Sequence, residues 1–256
     1  AKTVAFGSVV SVDGKILTKA SMLPTAPNCR LSDGRILPAK ILKTIRQHDV
    51  ALLKIDATEL TAVEWSDAES PSIGSQIIFV GNIPSLGTVA HSLKEFEGER
   101  GRLGATFRQT EQGLEVVDLN IEDFLPKEPA FSFGPQPHFE GSAINTLQEL
   151  RDLIDIENDP IALAGDRVRL VVKRDGKPEE LSMLLRPLDD FPLNGRTARC
   201  SGFPIAFGVL KAPQEMYFGG PVLDKNARAA GVAIAARQNG WILVLPANIA
   251  KKIAAE

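Results

Sequence analysis

Few side chains in this sequence could carry catalytic chemistry. The 256 residues contain three histidines and two cysteines. His48 stands directly before Asp49, and histidine is the commonest general base in enzymes. Adjacent residues of a strand point to opposite faces, so we expect His48 to face solvent. His91 falls on a predicted strand and His138 in an irregular stretch, and we expect none of the three to be catalytic.

Hydroxyls and thiols give no stronger site. Ser8 and Ser21 could serve as nucleophiles, but without a base within reach we expect ordinary hydroxyls. Cys29 and Cys200 are far apart in the sequence, which favours two reduced thiols, although pairing stays open. No metal-ligand spacing and no glycine-rich phosphate loop occurs, so we expect neither a metal nor a cofactor.

The most specific motif lies near the C-terminus, where residues 216–222 read Met-Tyr-Phe-Gly-Gly-Pro-Val and precede two strand-like runs around a turn. This segment resembles the nucleophile loop of trypsin-like serine proteases of the HtrA type, which reads Gly-Asn-Ser-Gly-Gly-Pro. Phe218 stands in place of the serine. A phenyl ring has no proton to lose and no lone pair with which to attack a carbonyl, so the resemblance implies a missing nucleophile.

Two further segments resemble the same family. Residues 13–23 follow the family pattern Gly-Tyr-Ile-Leu-Thr-Asn-Asn-His, with Ser21 in place of the base histidine. Residues 48–56 follow Asp-Leu-Ala-Val-Leu-Lys-Ile-Asp, with Asp49 in place of the orienting aspartate. By this resemblance only the carboxylate of the triad survives, and without a histidine to orient it has no catalytic role.

The resemblance also puts the former oxyanion loop at Met216 and Tyr217, where the family has glycine and asparagine. Glycine adopts a positive φ that longer side chains resist, so the amide that should meet the oxyanion is expected to point elsewhere.

Composition narrows the class of partner. A net charge of −3 provides no electrostatic footprint for DNA or RNA. No apolar run reaches the roughly 18 residues that cross a bilayer. No signal-peptide pattern is present, so the compartment stays unknown, although the resemblance favours a periplasmic or secreted protein.

Frequent short strands favour a small Greek-key barrel, and the resemblance implies a mainly β fold with two trypsin-like six-stranded Greek-key barrels, the second interrupted by a PDZ-like α+β domain. Short β-like runs separated by Asp-Gly and Pro turns predict strands at 4–10, 16–21, 35–43, 51–55 and 62–65. Two more are predicted at 76–80 and 88–94, and a C-terminal helix at 246–255. We assign 1–70 to the first barrel, 71–97 with 192–256 to the second, and 98–191 to the inserted domain.

The inserted segment resembles a bacterial PDZ domain in its Arg-Gly-Arg-Leu-Gly run at 100–104, a predicted helix at 144–154, and a predicted terminal hairpin at 165–184. PDZ domains bind an extended C-terminal peptide as an added strand. The resemblance carries this role onto the following residues: Arg102, Leu103, Gly104 and Ala105 as the carboxylate loop, with Leu150, Leu153 and Ile154 as pocket walls.

These patterns predict a catalytically inactive, trypsin-like pseudoprotease that binds extended or C-terminal peptides of other proteins as a scaffold or regulatory module. Two alternatives remain open. One is an endopeptidase that uses an unrecognised nucleophile or needs a partner for activity. The other is a regulatory subunit that pairs with an active protease homologue.

Overall fold

The computed structural model describes residues 3–24, 26–81, 83–98, 101–102, 105–111, 113–119, 138–139, 142–143, 163–165, 167–174, 177–187, 197, 199–210, 218–237 and 240–255. The chain divides into two compact units, one formed by Ala1–Glu97 with Leu193–Glu256 and the other by Gly98–Pro192. Each unit is described by itself below. Among the described residues, no helix has both the length and the apolar character needed to cross a membrane.

The first unit begins with an antiparallel sheet of five strands in the order β1-β2-β5-β4-β3. Their bounds are β1 Gly7–Val9, β2 Lys15–Lys19, β3 Asn28–Arg30, β4 Ile36–Ile45 and β5 Val50–Ile55. Its apolar core joins Ile16, Leu53 and Ile55 to apolar side chains of β3 and β4. Short 3-10 helices at Ala20–Met22 and Arg46–His48 follow β2 and precede β5.

The same unit contains a closed, six-stranded antiparallel barrel in the order β16-β19-β18-β17-β6-β7. Its strands are β6 Gln76–Phe79, β7 Ser85–Phe96, β16 Phe203–Leu210, β17 Pro221–Leu223, β18 Ala229–Ala236 and β19 Trp241–Pro246. Every residue of β18 is buried. Helix α1, Ala247–Ala254, follows β19 directly and buries Ala250 and Ile253 against a shared core.

The predicted mainly β, trypsin-like architecture is confirmed, with one difference in the first barrel. Residues 62–65 do not form a strand. Val63 donates one backbone hydrogen bond to Val9 O at 2.8 Å, and Trp65 makes an isolated parallel bridge to Ala229 of the other barrel. The segment divides its backbone bonds between two sheets, so the described part of the first sheet has five strands where six were expected.

The second unit is also rich in antiparallel pairs. Its strands are β8 Gly101–Arg102, β9 Ala105–Thr110, β10 Gly113–Leu119, β11 His138–Phe139, β12 Ser142–Ala143, β13 Arg167–Arg174, β14 Lys177–Leu184 and β15 Arg186–Pro187. The expected terminal hairpin is present, since β13 and β14 pair along their whole length. The predicted helix at 144–154 lies outside the described residues.

Candidate functional site

The candidate site is centred on the buried carboxylate of Asp49. The 3-10 helix Arg46–His48 ends at this residue, whose φ of 52° is left-handed. Aspartate adopts this conformation more readily than most side chains. Backbone bonds hold the turn, since Asp49 N donates to Arg46 O at 3.0 Å and Ala20 N donates to Asp49 O at 2.9 Å. The carboxylate is only 3% exposed, so its oxygens need partners inside the protein.

Ser21 supplies two of those partners. Its backbone N–H donates to Asp49 Oδ1 at 2.8 Å, and its hydroxyl donates to Asp49 Oδ2 at 2.8 Å. The 3-10 turn after β2 brings the half-buried Ser21 over the carboxylate. The structure therefore brings together two of the three positions that the sequence singled out. The Ser21 hydroxyl donates a hydrogen bond to the carboxylate. A hydroxyl is too weak a base to take a proton from a nucleophile as an imidazole does.

Sequence reasoning missed the third partner, Lys19. Its ammonium forms an ion pair with Asp49 Oδ2 and donates a hydrogen bond to Ile234 O at 2.6 Å. The Lys19 side chain is 1% exposed. Complete burial lowers the pKa of Lys19 below its ordinary value, and the adjacent Asp49 carboxylate opposes that shift. Asp49 is thus held between a cation and a serine.

One signal in the sequence could have identified Lys19. Strand β2 alternates so that Lys19 shares a face with Leu17, which is fully buried. Lysine is almost never buried without a partner, so a lysine on a buried face requires an acidic neighbour. Lys19 lies opposite Val50 in the sheet, and Asp49 is the residue before it.

Phe218, at the nucleophile position, is 6% exposed and belongs to the apolar cluster of the closed barrel. Its neighbours in that cluster include aromatic residues of β6 and β16 and three small residues of β18, namely Phe79, Phe207, Ala230, Ala233 and Ala236. The ring therefore contributes to the barrel core and presents no reactive atom to a substrate.

Hydrogen bonds on both sides hold the loop that carries Phe218. Phe218 O accepts from Phe6 N at 2.9 Å, and Gly219 N donates to Ala233 O at 2.8 Å. Gly219 O accepts from the buried hydroxyl of Ser8 at 3.2 Å. Gly219 has a φ of 98°, and a Cβ added there would lie 2.3 Å from Phe6 O and 2.7 Å from Lys19 N. The loop is therefore packed directly against the end of β2.

The expectation that His48 faces solvent is wrong. His48 is 5% exposed, because it lies in the 3-10 helix Arg46–His48, where the alternation of a strand does not apply. Among the described residues its Nδ1 has no hydrogen-bond partner, and its Nε2 lies 3.3 Å from Gln47 Nε2. Burial, and secondarily the Arg199 guanidinium, lowers the pKa of His48. In the described part of the chain, no hydroxyl or thiol is bonded to this imidazole.

Arg199 fastens this 3-10 helix to the strand-connecting segment before β16. The guanidinium, in a residue only 2% exposed, donates to Arg46 O at 2.6 Å and to Gly202 O at 3.0 Å. It also lies 5.1 Å from the ring centroid of Phe203, within cation–π range. Arg199 therefore links the turn that carries Asp49 to the closed barrel.

The remaining chemical candidates have structural surroundings. His91 stacks on Trp241 with ring centroids 4.6 Å apart. Cys29 and Cys200, which are both described, form no disulfide, and burial raises the pKa of Cys29. Within the part of the chain that the structure describes, no cluster of histidine, cysteine, aspartate and glutamate could hold a metal ion.

Several predicted site residues lie outside the part of the chain that the structure describes. Met216 and Tyr217 of the former oxyanion loop lie outside the described residues, as do Leu103, Gly104, Leu150, Leu153 and Ile154 of the expected peptide groove. Arg102 lies in β8, where it pairs with Arg186, and Ala105 begins β9. The peptide groove thus stays a prediction.

The known proteins to which this chain is similar are serine proteases. Residues 5–124 match the trypsin-like peptidase domain. The chain is 29% identical over 147 residues to a mitochondrial serine protease HTRA2 from Drosophila grimshawi, covering 54% of this chain and 32% of the relative. It is 34% identical over 84 residues to a probable periplasmic serine endoprotease DegP-like from Pseudomonas putida, covering 32% and 18%. The matched region spans about a third or less of these relatives.

Two solved structures are similar over most of the chain. The MamO protease domain from Magnetospirillum magneticum, in its apo form, is 15% identical with a TM-score of 0.42 and covers 98% of this chain and 87% of its own. The Rv3671c protease, in an inactive form, is 14% identical with a TM-score of 0.49 and covers 97% and 82%.

Proposed function

This chain is a homologue of the HtrA-type, trypsin-like serine proteases, and we propose that it is a catalytically inactive member that acts as a peptide- or protein-binding scaffold or regulatory module. One observation carries the proposal: the buried Asp49 carboxylate is bonded to Lys19 and Ser21, and among the described residues no imidazole is bonded to it. The orienting residue of a triad is present with nothing to orient.

The nucleophile position supports the same conclusion. The Phe218 ring packs into the closed barrel, and the loop around it is bonded on both sides. Loss of the nucleophile or the base alone costs about a million-fold in kcat in a serine protease of this type. This chain has neither side chain at the corresponding position, so we expect no measurable peptidase activity.

For the binding role, we propose that the second compact unit, Gly98–Pro192, receives extended or C-terminal peptides. Support comes from its resemblance to a PDZ domain and from its antiparallel sheets, since such domains take up a peptide as an added strand. The partners would be peptides of other proteins, among which an active protease homologue is one candidate.

The test is prolonged incubation of the purified chain with casein, beside an active HtrA-type relative as positive control. Wild type, Asp49→Ala and Ser21→Ala are compared, together with labelling by a serine-directed fluorophosphonate. We expect no cleavage and no labelling from any of the three. Cleavage by wild type that disappears in Asp49→Ala would overturn the proposal.

A second candidate function rests on the hydrogen bond from Ser21 Oγ to Asp49 Oδ2 at 2.8 Å, which places a half-buried hydroxyl on a carboxylate. Such a serine could be the unrecognised nucleophile of an endopeptidase. The Lys19 ammonium already pairs with the same carboxylate oxygen, which is why we rank this function second. Cleavage and labelling that vanish in Ser21→Ala would establish it.

A further inference from the structure

The ion pair between Lys19 and Asp49 connects three separate parts of the first unit. Lys19 is the last residue of β2, Asp49 ends the 3-10 helix before β5, and Ile234 lies on β18 of the closed barrel. Both charged side chains are at least 97% buried, since Lys19 is 1% and Asp49 3% exposed. An ammonium in such a place needs its charge compensated nearby, and the Asp49 carboxylate provides that compensation.

The carboxylate of a serine-protease triad has two tasks. It holds the imidazole in one orientation and tautomer through a hydrogen bond, and its negative charge stabilises the imidazolium that forms during the reaction. The contacts to Ser21 show that Asp49 still directs both oxygens toward position 21, through the backbone N–H and the hydroxyl. Orientation therefore remains available. The negative charge of Asp49 is not available to stabilise an imidazolium, because the Lys19 ammonium is paired with Oδ2.

We propose that Lys19 silences this site: it neutralises Asp49, so that a base at position 21 would be held in place but not activated. The inference rests on the proposed function and adds a third change to the two lost triad side chains. It follows that Ser21→His combined with Phe218→Ser would restore both missing groups without restoring the negative charge behind the histidine.

The test places a histidine on the carboxylate and measures its protonation directly. In Ser21→His, the pKa of the introduced imidazole is determined by NMR, and its signal is assigned by comparison with wild type. We expect a value below the ordinary histidine value of about 6.5. In Ser21→His with Lys19→Met, the uncompensated Asp49 should raise that pKa by roughly 1–2 pH units, since a charge within hydrogen-bonding reach shifts a pKa by about that much.

The control variant is Lys54→Met in the same Ser21→His background. Lys54 is on the neighbouring strand β5 and forms a partly exposed ion pair with Asp13 at 3.1 Å, so its loss removes a lysine without touching Asp49. We expect this variant to leave the pKa of the introduced histidine unchanged. If the loss of any lysine changed the pKa of the introduced histidine, Lys54→Met would shift it as Lys19→Met does.

A histidine pKa at or above 6.5 in Ser21→His alone would overturn the inference, as would equal values with and without Lys19. If Lys19→Met does not fold, Lys19→Gln gives the same comparison, because the amide can still donate to Ile234 O but carries no charge. These readouts are independent of activity. Casein cleavage by wild type would end the proposed function, whereas equal histidine pKa values with and without Lys19 would end the Lys19 inference alone.

Discussion

At the scale of single residues, the loop that carries Phe218 requires a residue without a side chain at position 219. Gly219 combines a left-handed φ of 98° with backbone on two sides, namely Phe6 O at 2.3 Å and Lys19 N at 2.7 Å from the position of an added Cβ. Packing against β2 therefore requires a glycine at this position, whatever residue stands at position 218.

We expect Gly219→Ala to lower the free energy of unfolding by roughly 3–5 kcal/mol, since conformational strain and a backbone clash add. Gly74 is the matched control, because its φ of 86° is also left-handed but no atom lies within 4 Å of an added Cβ. Gly74→Ala should cost only about 1–2 kcal/mol, from strain alone. Urea denaturation of both variants gives the comparison, and equal losses would show that the clash is relieved by movement of the loop.

At the scale of elements, the 3-10 helix Arg46–His48 determines where Asp49 and His48 lie. Its turn puts Asp49 in a left-handed conformation and buries His48. The Arg199 guanidinium donates a hydrogen bond to the backbone carbonyl of Arg46 in this helix. Because His48 is buried beside a fixed guanidinium, its protonation is opposed in the folded state.

This element should make stability pH-dependent. The pKa of His48 is lowered in the folded state, so its contribution to stability is complete above the unfolded value of about 6.5 and is lost as pH falls below it. Between pH 6.5 and the folded-state pKa, wild type should lose up to about 1.4 kcal/mol of unfolding free energy per pH unit more than His48→Leu. Urea denaturation of both proteins from pH 7.5 to 5 tests this, and parallel curves would contradict it.

At the scale of the whole molecule, the two compact units divide the tasks that we propose. The first unit contains the site around Asp49, and we propose that the second unit, which has antiparallel sheets, is the peptide receptor. Peptide binding does not require a catalytic triad. The first unit can therefore keep its fold without the catalytic side chains.

We expect a substitution in the second unit to weaken peptide binding and a matched substitution in the first unit to leave it unchanged. Gly104→Trp, in the predicted carboxylate loop, should reduce binding of C-terminal peptides selected from a display library at least tenfold, because a bulky side chain blocks approach of the carboxylate to backbone amides. Gly74→Trp is the control in the other unit, in open space. Fluorescence anisotropy measures both, and unchanged affinity in Gly104→Trp would rule out the carboxylate-loop assignment.

By itself the sequence indicated the resemblance to trypsin-like proteases, several strand positions and the absence of a nucleophile and a base at the triad positions, because these depend on local motifs and on residue identity. A phenylalanine at 218 and a serine at 21 have the same chemistry in any fold. The helix Ala247–Ala254 and the hairpin of β13 and β14 were likewise readable from nearby residues.

Only the tertiary structure decided how these residues are paired and buried. Lys19 meets Asp49 across 30 positions and Ile234 across 215, and no local pattern contains such contacts. The inward turn of His48 followed from a 3-10 helix where strand alternation was assumed, and segment 62–65 gave its backbone bonds to two sheets. Burial removes water as a partner, so each buried polar group takes whichever partner the fold brings near, and that choice is made by packing between distant segments.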